Sequence, residues 1–399
     1  MRVGLITAEF PPQVGGVGEH AARLAAGLRE SGHSVQVVTS AGEVMTEDRL
    51  MGRGSRIDRI VDRWDWRILL TLPRVAIRHG WDVVHIHYQP GAYALHGAIC
   101  LLPRFIRRLA VPPAIVTTFH DLQVPYLFPK AGGLRRRFVQ DMAQHSDGTI
   151  AVADETVGQL YKWTSGSGHE VAVAHVPLGN HFDARPPRGY DRAAWREVRG
   201  IGPDAWVIGH LGFVNPSKAV DVTVAALAML VAAGHDAHLL MIGQASSPTD
   251  SEGARALNRI LVMVEQMGIA SRVHWTAHVS AEEAAGLLGC VDVMSLPFRD
   301  GASLRRTSLI AAWANGIPVV TTDAAVPVDW LRHDPPAAVS PSGGPESLAL
   351  TIEQVMENPA YREVLRARGL EFAARFTWPS VVAQTLDVYR EARRMPTRD

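Results

Sequence analysis

Short apolar runs rich in β-branched residues alternate along this chain with stretches whose apolar residues recur at helical spacing. In the first half the runs are VGLIT (3–7), VQVVT (35–39), DVVHIH (82–87), AIVTTFH (114–120), GTIAVA (148–153) and VAVAHVP (171–177). Between the first two, GEHAARLAAGLRESGH puts Ala21, Leu24, Ala25 and Leu28 on one helical face, and Gly32 ends the helix. The second half repeats the scheme with WVIGHLG (206–212), AHLLMIG (237–243), VHWTAH (273–278), VDVMSLP (291–297) and IPVVTT (317–322). Helices are predicted over 219–233, 254–267, 281–289 and 304–314.

Continuous apolar strands joined by helices imply parallel sheets covered on both faces. Two such runs of comparable size predict an α/β protein of two doubly wound, Rossmann-like domains facing a cleft. The boundaries fall at 1–178 and 179–375, with GNHFDARPPRGYD (179–191) as the linker. A last amphipathic helix is expected in 376–399.

The 399 residues carry 40 basic and 40 acidic side chains, a balance that argues against a general nucleic-acid binder. The two cysteines, Cys100 and Cys290, sit in apolar surroundings and read as buried free thiols, which fits a reducing cytoplasm. MRVGLITAEF reads as a first strand rather than a signal peptide, and no run is apolar enough for a membrane span.

In open α/β sheets, ligands bind beyond the carboxyl ends of the strands. After the first strand, EFPPQVGGVGEH brings Gly15, Gly16 and Gly18 to the start of a helix, where free amides suit an anion. A flexible turn is the simpler account, and the spacing is not the dinucleotide fingerprint. His85 and His87 share one face of their strand, and His87, the terminal one, is expected to reach the cleft. A structural histidine is the alternative; a metal would need a third ligand, and none appears nearby. His120 ends the next strand, where it can donate to a sugar hydroxyl, move a proton or simply hold structure.

In the second half, LGFVNPSKAVD places Lys218 just before a helix. The chain has only three lysines, Lys130, Lys162 and Lys218, and one at a strand-to-helix loop is a natural phosphate ligand or else a surface side chain. After VDVMSLP, FRDGAS is a loop and Ser303 is expected to cap the following helix. The amides of Leu304 and Arg305, with Arg305 or Arg306, would then form an anion site suited to a diphosphate. At least one of the adjacent arginines should face solvent.

Taken in order, GGVGEHAARLAAGLRESGHSVQVVT, DVVHIHY, TTFHD, HVPLGN, GFVNPSKAVD, LLMIG, VDVMSLP and ANGIPVVTT resemble the family-four glycosyltransferases of the GT-B fold. The resemblance spans the chain. It implies a nucleotide-sugar donor on the C-terminal domain, an acceptor on the N-terminal domain, retention of configuration, and no metal or other cofactor. It also implies that the closing helix crosses back onto the first domain. Gly16 falls in the family's glycine loop near the diphosphate, with Gly15 beside it. His120 matches the histidine that touches the donor sugar, and Lys218 the lysine of an Arg–Lys phosphate clamp. Glu19 and His87 fall on the acceptor side. The acceptor, offering a hydroxyl or an amine, could be a small molecule, a lipid-linked sugar or a glycan.

Three positions depart from the pattern. The clamp arginine is replaced by Phe213, and the two family glutamates by Ser303 and Ala311. From Ser303 to Thr322 there is no carboxylate. Arg305 or Arg306 would replace the lost guanidinium, and front-face transfer needs no carboxylate if the leaving diphosphate is held firmly. A protein that binds without transferring, or another sugar-nucleotide reaction such as epimerisation or phosphorolysis, stands as the alternative. The stretches 101–110 and 130–140 are basic and partly apolar; a solvated helix face accounts for them more simply than membrane-surface contact.

Overall fold

The computed structural model describes residues 1–13, 15–42, 56–125, 132–180, 186–243, 251–276 and 279–395. Val14 of the glycine loop, Lys130, residues 181–185 of the linker, and Ala277 and His278 lie outside them.

The chain divides into two compact units, Met1–Gly179 with Phe376–Asp399, and Asn180–Arg375. The first holds a seven-stranded sheet in the order β3-β2-β1-β4-β5-β6-β7. Its strands are β1 (Arg2–Ile6), β2 (Ser34–Ser40), β3 (Arg56–Val61), β4 (Val83–Tyr88), β5 (Ala114–Phe119), β6 (Gly148–Ala151) and β7 (Ala172–His175). The second holds six strands in the order β10-β9-β8-β11-β12-β13: β8 (Trp206–Leu211), β9 (Ala237–Ile242), β10 (Val273–Trp275), β11 (Val293–Leu296), β12 (Val319–Thr322) and β13 (Ala338–Ser340). Every pairing in both sheets is parallel among the described residues. The order reverses between β1 and β4 in one sheet and between β8 and β11 in the other, and those switch points are where such sheets bind ligands.

Burial follows from the alternation of side chains along a strand. In the first unit Ile6, Val84, Ile86 and Phe119 pack on one face. Val3, Leu5, Val83 and Val116 pack on the other, against Ala21, Leu24, Ala25 and Leu28 of the helix Gly16–Glu30. The final helix, Trp378–Ala392, joins this second face through Val381, Val382, Leu386, Val388 and Tyr389. Each such side chain contributes about 1.5–3 kcal/mol when fully buried. Gly27 lets the two helices meet closely, since a Cβ there would lie 2.5 Å from Val382.

Two strands escape the apolar pattern. β3, RIDRIV, is a polar edge strand, and β13 spans only Ala338–Ser340. Cys100 and Cys290 are buried free thiols. Among the described residues no helix is long and apolar enough to cross a membrane.

Candidate functional site

At the carboxyl end of the first sheet, the face that begins apolar at Val83 turns polar. Alternation carries His85 and His87 onto it from β4, and the register sets Thr118 of β5 opposite His87. His20 reaches the same place from the helix Gly16–Glu30, and Trp378 and Tyr389 from the last helix. The ring nitrogens of His85 hydrogen-bond to the Tyr389 and Thr118 hydroxyls, each at 2.7 Å. His87 Nδ1 lies 3.1 Å from His120 Nε2. The His20 ring meets His87 and His120 edge-on, with centroids 5.6 and 5.2 Å away.

The two histidines of β4 are held neutral. Burial, with His120 nearby, pushes His85 down to about 3. Burial, followed by the neighbouring histidines, holds His87 well below its ordinary value. The expectation that His87 reaches an open site therefore needs correction: its side chain is fully buried. His120, which follows directly after β5, is half-exposed.

The glycine loop also differs from expectation. Gly15 takes the N-cap position of the helix Gly16–Glu30. A Cβ on Gly15 would come within 2.3 Å of Glu9 Oε2, so that carboxyl group lies against the loop. Burial raises the Glu9 pKa. An anion placed at Gly15 and Gly16 would therefore meet an acid already at the positive end of the helix. Gly18 is required for packing, because its Cβ would lie 2.9 Å from the Glu9 backbone, whereas a Cβ on Gly16 would meet nothing within 4 Å. Glu19 is exposed and pairs with Arg23 at 3.6 Å, one helical turn on.

The second unit is furnished with cations. Lys218 closes a single tight turn, Pro216–Lys218, capped by the Asn215 side chain. Its Nζ donates to the Leu211 carbonyl at the end of β8 (3.2 Å). It also crowds Gly212, whose Cβ would lie 2.5 Å from Nζ. Burial, then the nearby Arg306, pulls the Lys218 pKa down to about 8. Among the described residues no carboxylate pairs with Lys218. Asp221 is held by Arg299, and Asp300 by Arg306. A buried ammonium of this kind favours an incoming anion over solvent.

The helix after β11 starts later than its sequence suggests, at Thr307 rather than near Ser303. The cause is Ser303 itself. Its Oγ accepts from the Arg305 amide (3.3 Å) and its carbonyl from the Arg306 amide (3.0 Å), which folds the segment as a turn. The Arg305 amide is thus engaged locally rather than presented to a ligand. Ser303 and Leu304 are buried, and Arg305 is exposed. Arg306 lies over the Phe298 ring, 4.7 Å from its centroid, with Ser217 Oγ at 3.4 Å. Ala311 is fully buried and Phe213 is exposed.

His235, Glu353 and Glu357 place ligand atoms within 4.8 Å of one another, a spacing that could hold a metal. His235 precedes β9, whereas Lys218 follows the neighbouring parallel strand β8, so this group lies at the amino-terminal end of the strands and contains none of the residues singled out by sequence. Glu9 and His20 were not singled out either. His20 precedes Leu24 and Leu28 by one and two helical turns, a spacing that predicts its burial.

Two parallel sheets of this kind recur in solved glycosyltransferases. A sucrose-phosphate synthase from Thermosynechococcus elongatus matches with a TM-score of 0.73 and 20% identity, covering 98% of each chain. Anabaena HepE in complex with UDP and glucose matches with a TM-score of 0.73 and 15% identity, over 97% of this chain and 98% of that one. The fold is that of the GT-B type. The family described as Glycosyltransferase Family 4 matches residues 14–175, and that described as Glycosyl transferases group 1 matches 205–358. The chain belongs to the family-four glycosyltransferases. It is 27% identical over 329 residues to a D-inositol 3-phosphate glycosyltransferase of Nocardioides sp., covering 78% of this chain and 68% of that protein. It is 23% identical to a GDP-mannose-dependent alpha-(1-6)-phosphatidylinositol monomannoside mannosyltransferase of Mycobacterium tuberculosis, covering 98% of each.

Proposed function

We propose that this glycosyltransferase moves a sugar from a nucleotide-sugar donor to an acceptor hydroxyl, with retention and without a metal. One observation carries the reading: Lys218 is a buried cation with a depressed pKa, no carboxylate partner among the described residues, and Arg306 beside it at the switch point of the second sheet. A donor diphosphate supplies the missing countercharge, with the exposed Arg305 as a further contact. The second unit then holds the donor. The first unit, whose His85 and His87 are neutral and whose glycine loop carries Glu9, holds a hydroxyl-bearing acceptor that is a small molecule, a lipid-linked sugar or a glycan. His120 touches the donor sugar.

The chemistry needs no protein carboxylate. The acceptor oxygen bonds to the anomeric carbon on the face from which the diphosphate leaves. The bond from that carbon to the leaving oxygen breaks, and the leaving phosphate takes the acceptor proton. Holding the diphosphate as charge develops is then the main task of the site. Ser303 and Ala311 at the positions of the usual family glutamates alter the choice of donor rather than abolish transfer.

The test is incubation with a panel of UDP- and GDP-sugars, with and without inositol phosphate and lipid-linked acceptors, in the presence of a chelator. Nucleoside diphosphate release and an axial product linkage from an axial donor are expected. Donor binding without turnover would select the alternative suggested by Phe213, Ser303 and Ala311, a subunit that binds but does not transfer. Loss of turnover with chelator would defeat metal independence.

A further inference from the structure

One helix of the first unit is apolar on the side it buries and again on the side it shows. The helix Ile68–His79 sets Ile68, Leu69, Leu72 and Ala76 into the core. On its outer face Leu70 is 59% exposed and Ile77 62%. They stand at i and i+7, two turns apart on one line of the helix. Trp66, one turn before Leu70, is 48% exposed and extends that line. Its ring lies 6.5 Å from Phe138 of the helix Gly132–Gln144, where Leu134, one turn before Phe138, is exposed too.

Arginine edges this stripe. Arg63, Arg67, Arg74 and Arg78 are exposed around it, and the helix Ile68–His79 contains no acid. The helices Ala98–Ile106 and Gly132–Gln144 cover the same face of the sheet and add the exposed Arg104, Arg136 and Arg137. The acids of 62–79, 98–108 and 133–144 are Asp62, Asp65 and Asp141. Asp65 and Asp141 already face Arg67 and Arg104, at 4.0 and 3.7 Å. The whole chain carries 40 acids and 40 bases, so this concentration of positive charge is local.

An occupant of this face has to use both the charge and the apolar stripe. A second copy of the chain, paired about a two-fold axis, would set arginine against arginine. A nucleic acid would use the arginines and leave Leu70 and Ile77 in water. An anionic bilayer uses both: its phosphates meet the guanidinium groups, and the boundary between headgroups and acyl chains takes up the apolar side chains. A tryptophan at that boundary keeps its ring in apolar surroundings and its N–H in water. We propose that this face docks on an anionic lipid surface, with Trp66, Leu70 and Ile77 entering the boundary and the flanking arginines on lipid phosphates. Arg104, Arg136 and Arg137 belong to stretches that sequence alone reads as a solvated helix face; the apolar stripe beside them gives their charge a lipid partner. The proposal does not depend on which donor or acceptor the enzyme uses.

The experiment floats the full chain with phosphatidylcholine vesicles, with and without phosphatidylglycerol, near physiological salt. The protein should rise with the anionic vesicles and stay behind with the neutral ones. Leu70→Ser combined with Ile77→Ser should weaken binding about tenfold or more at unchanged melting temperature. Arg67→Glu combined with Arg74→Glu should weaken it at least as much, and added salt should weaken the wild type. Val262→Ser, at a position of the second unit that is 55% exposed, should change nothing. Wild-type protein that stays behind with anionic vesicles overturns the proposal. So does binding that the Leu70 and Ile77 variant retains in full, or that Val262→Ser lowers as much. A dimer that the Leu70 and Ile77 variant abolishes, in protein that does not float, assigns the stripe to a second copy. Binding of single-stranded RNA without binding of vesicles assigns the arginines to nucleic acid. Either result overturns the lipid reading.

Discussion

The two units share a doubly wound plan and differ at the carboxyl ends of their strands. The first collects neutral imidazoles there and sets the Glu9 carboxyl against the start of a helix. The second collects Lys218, Arg305 and Arg306, and leaves Lys218 without a carboxylate partner among the described residues. A shared fold thus says where a ligand binds, but the side chains at the switch point say which charge it carries. On the proposed reading, the anion belongs to the second unit and uncharged hydroxyls to the first.

The largest expected effect tests that contrast directly. Lys218→Ala should weaken UDP or GDP binding by about 2–3 kcal/mol in titration calorimetry, because it removes the buried charge. Gly15→Ala, which would displace the Glu9 carboxyl rather than remove a cation, should leave nucleotide affinity within about 0.5 kcal/mol. Equal losses from the two variants would erase the distinction between the units.

The same lysine makes binding depend on pH. Its folded pKa is about 8, lowered by burial and Arg306. Above that value the free protein loses the charge that a diphosphate needs. UDP affinity should therefore fall as pH rises through 8, by up to about tenfold per pH unit. The stability of the free protein runs the other way. Between pH 8 and the unfolded lysine value, near 10.4, the unfolded chain binds more protons, so this group's contribution to stability rises with pH. Lys218→Met should flatten the affinity profile over this range. A profile as steep in the variant as in the wild type would place the titration elsewhere.

Between the arginines a smaller difference is expected. Arg306 is already hydrogen-bonded to Asp300 and stacked on Phe298. Arg305 is exposed and one residue from the same turn. Arg305→Ala should cost nucleotide affinity about 1–2 kcal/mol, and Arg306→Ala less, since the lost charge was partly neutralised. Wild-type affinity and turnover in both variants would remove the arginines from the anion site.

Most of the architecture was legible because it rests on alternation and period. The apolar runs mark eleven strands that form, and the face carrying Ala21, Leu24, Ala25 and Leu28 is buried as read. β3 was not, since an edge strand written RIDRIV has no continuous apolar run. β13 was too short to show a period. At the site, the residue types and strand ends could be read, but the bonds between side chains could not. The sequence suggests Ser303 as a cap, and it does bond a backbone amide, but that bond closes a turn and delays the helix to Thr307. His87 nears the end of its strand, which on sequence alone suggests that it reaches the cleft. Packing against His20 and His120 buries it, and those contacts come from far along the chain.

The smallest effect on nucleotide affinity concerns the glycines, where the loop's shape and its proposed anion role separate. Gly18 has the Glu9 backbone against the position a Cβ would take, at 2.9 Å, with the Phe10 amide 3.0 Å away. Backbone cannot swing aside as a side chain can, so Gly18→Ala should destabilise by about 1–3 kcal/mol in denaturant unfolding. Gly16, the first residue of the helix, has open space around the same position. There alanine adds helix propensity, so Gly16→Ala should leave stability within about 0.5 kcal/mol of wild type or raise it slightly. Nucleotide affinity should be unchanged as well. If Gly16→Ala kept its stability but lost UDP binding, the phosphate would have to approach that loop closely, and the anion would no longer belong to the second unit alone.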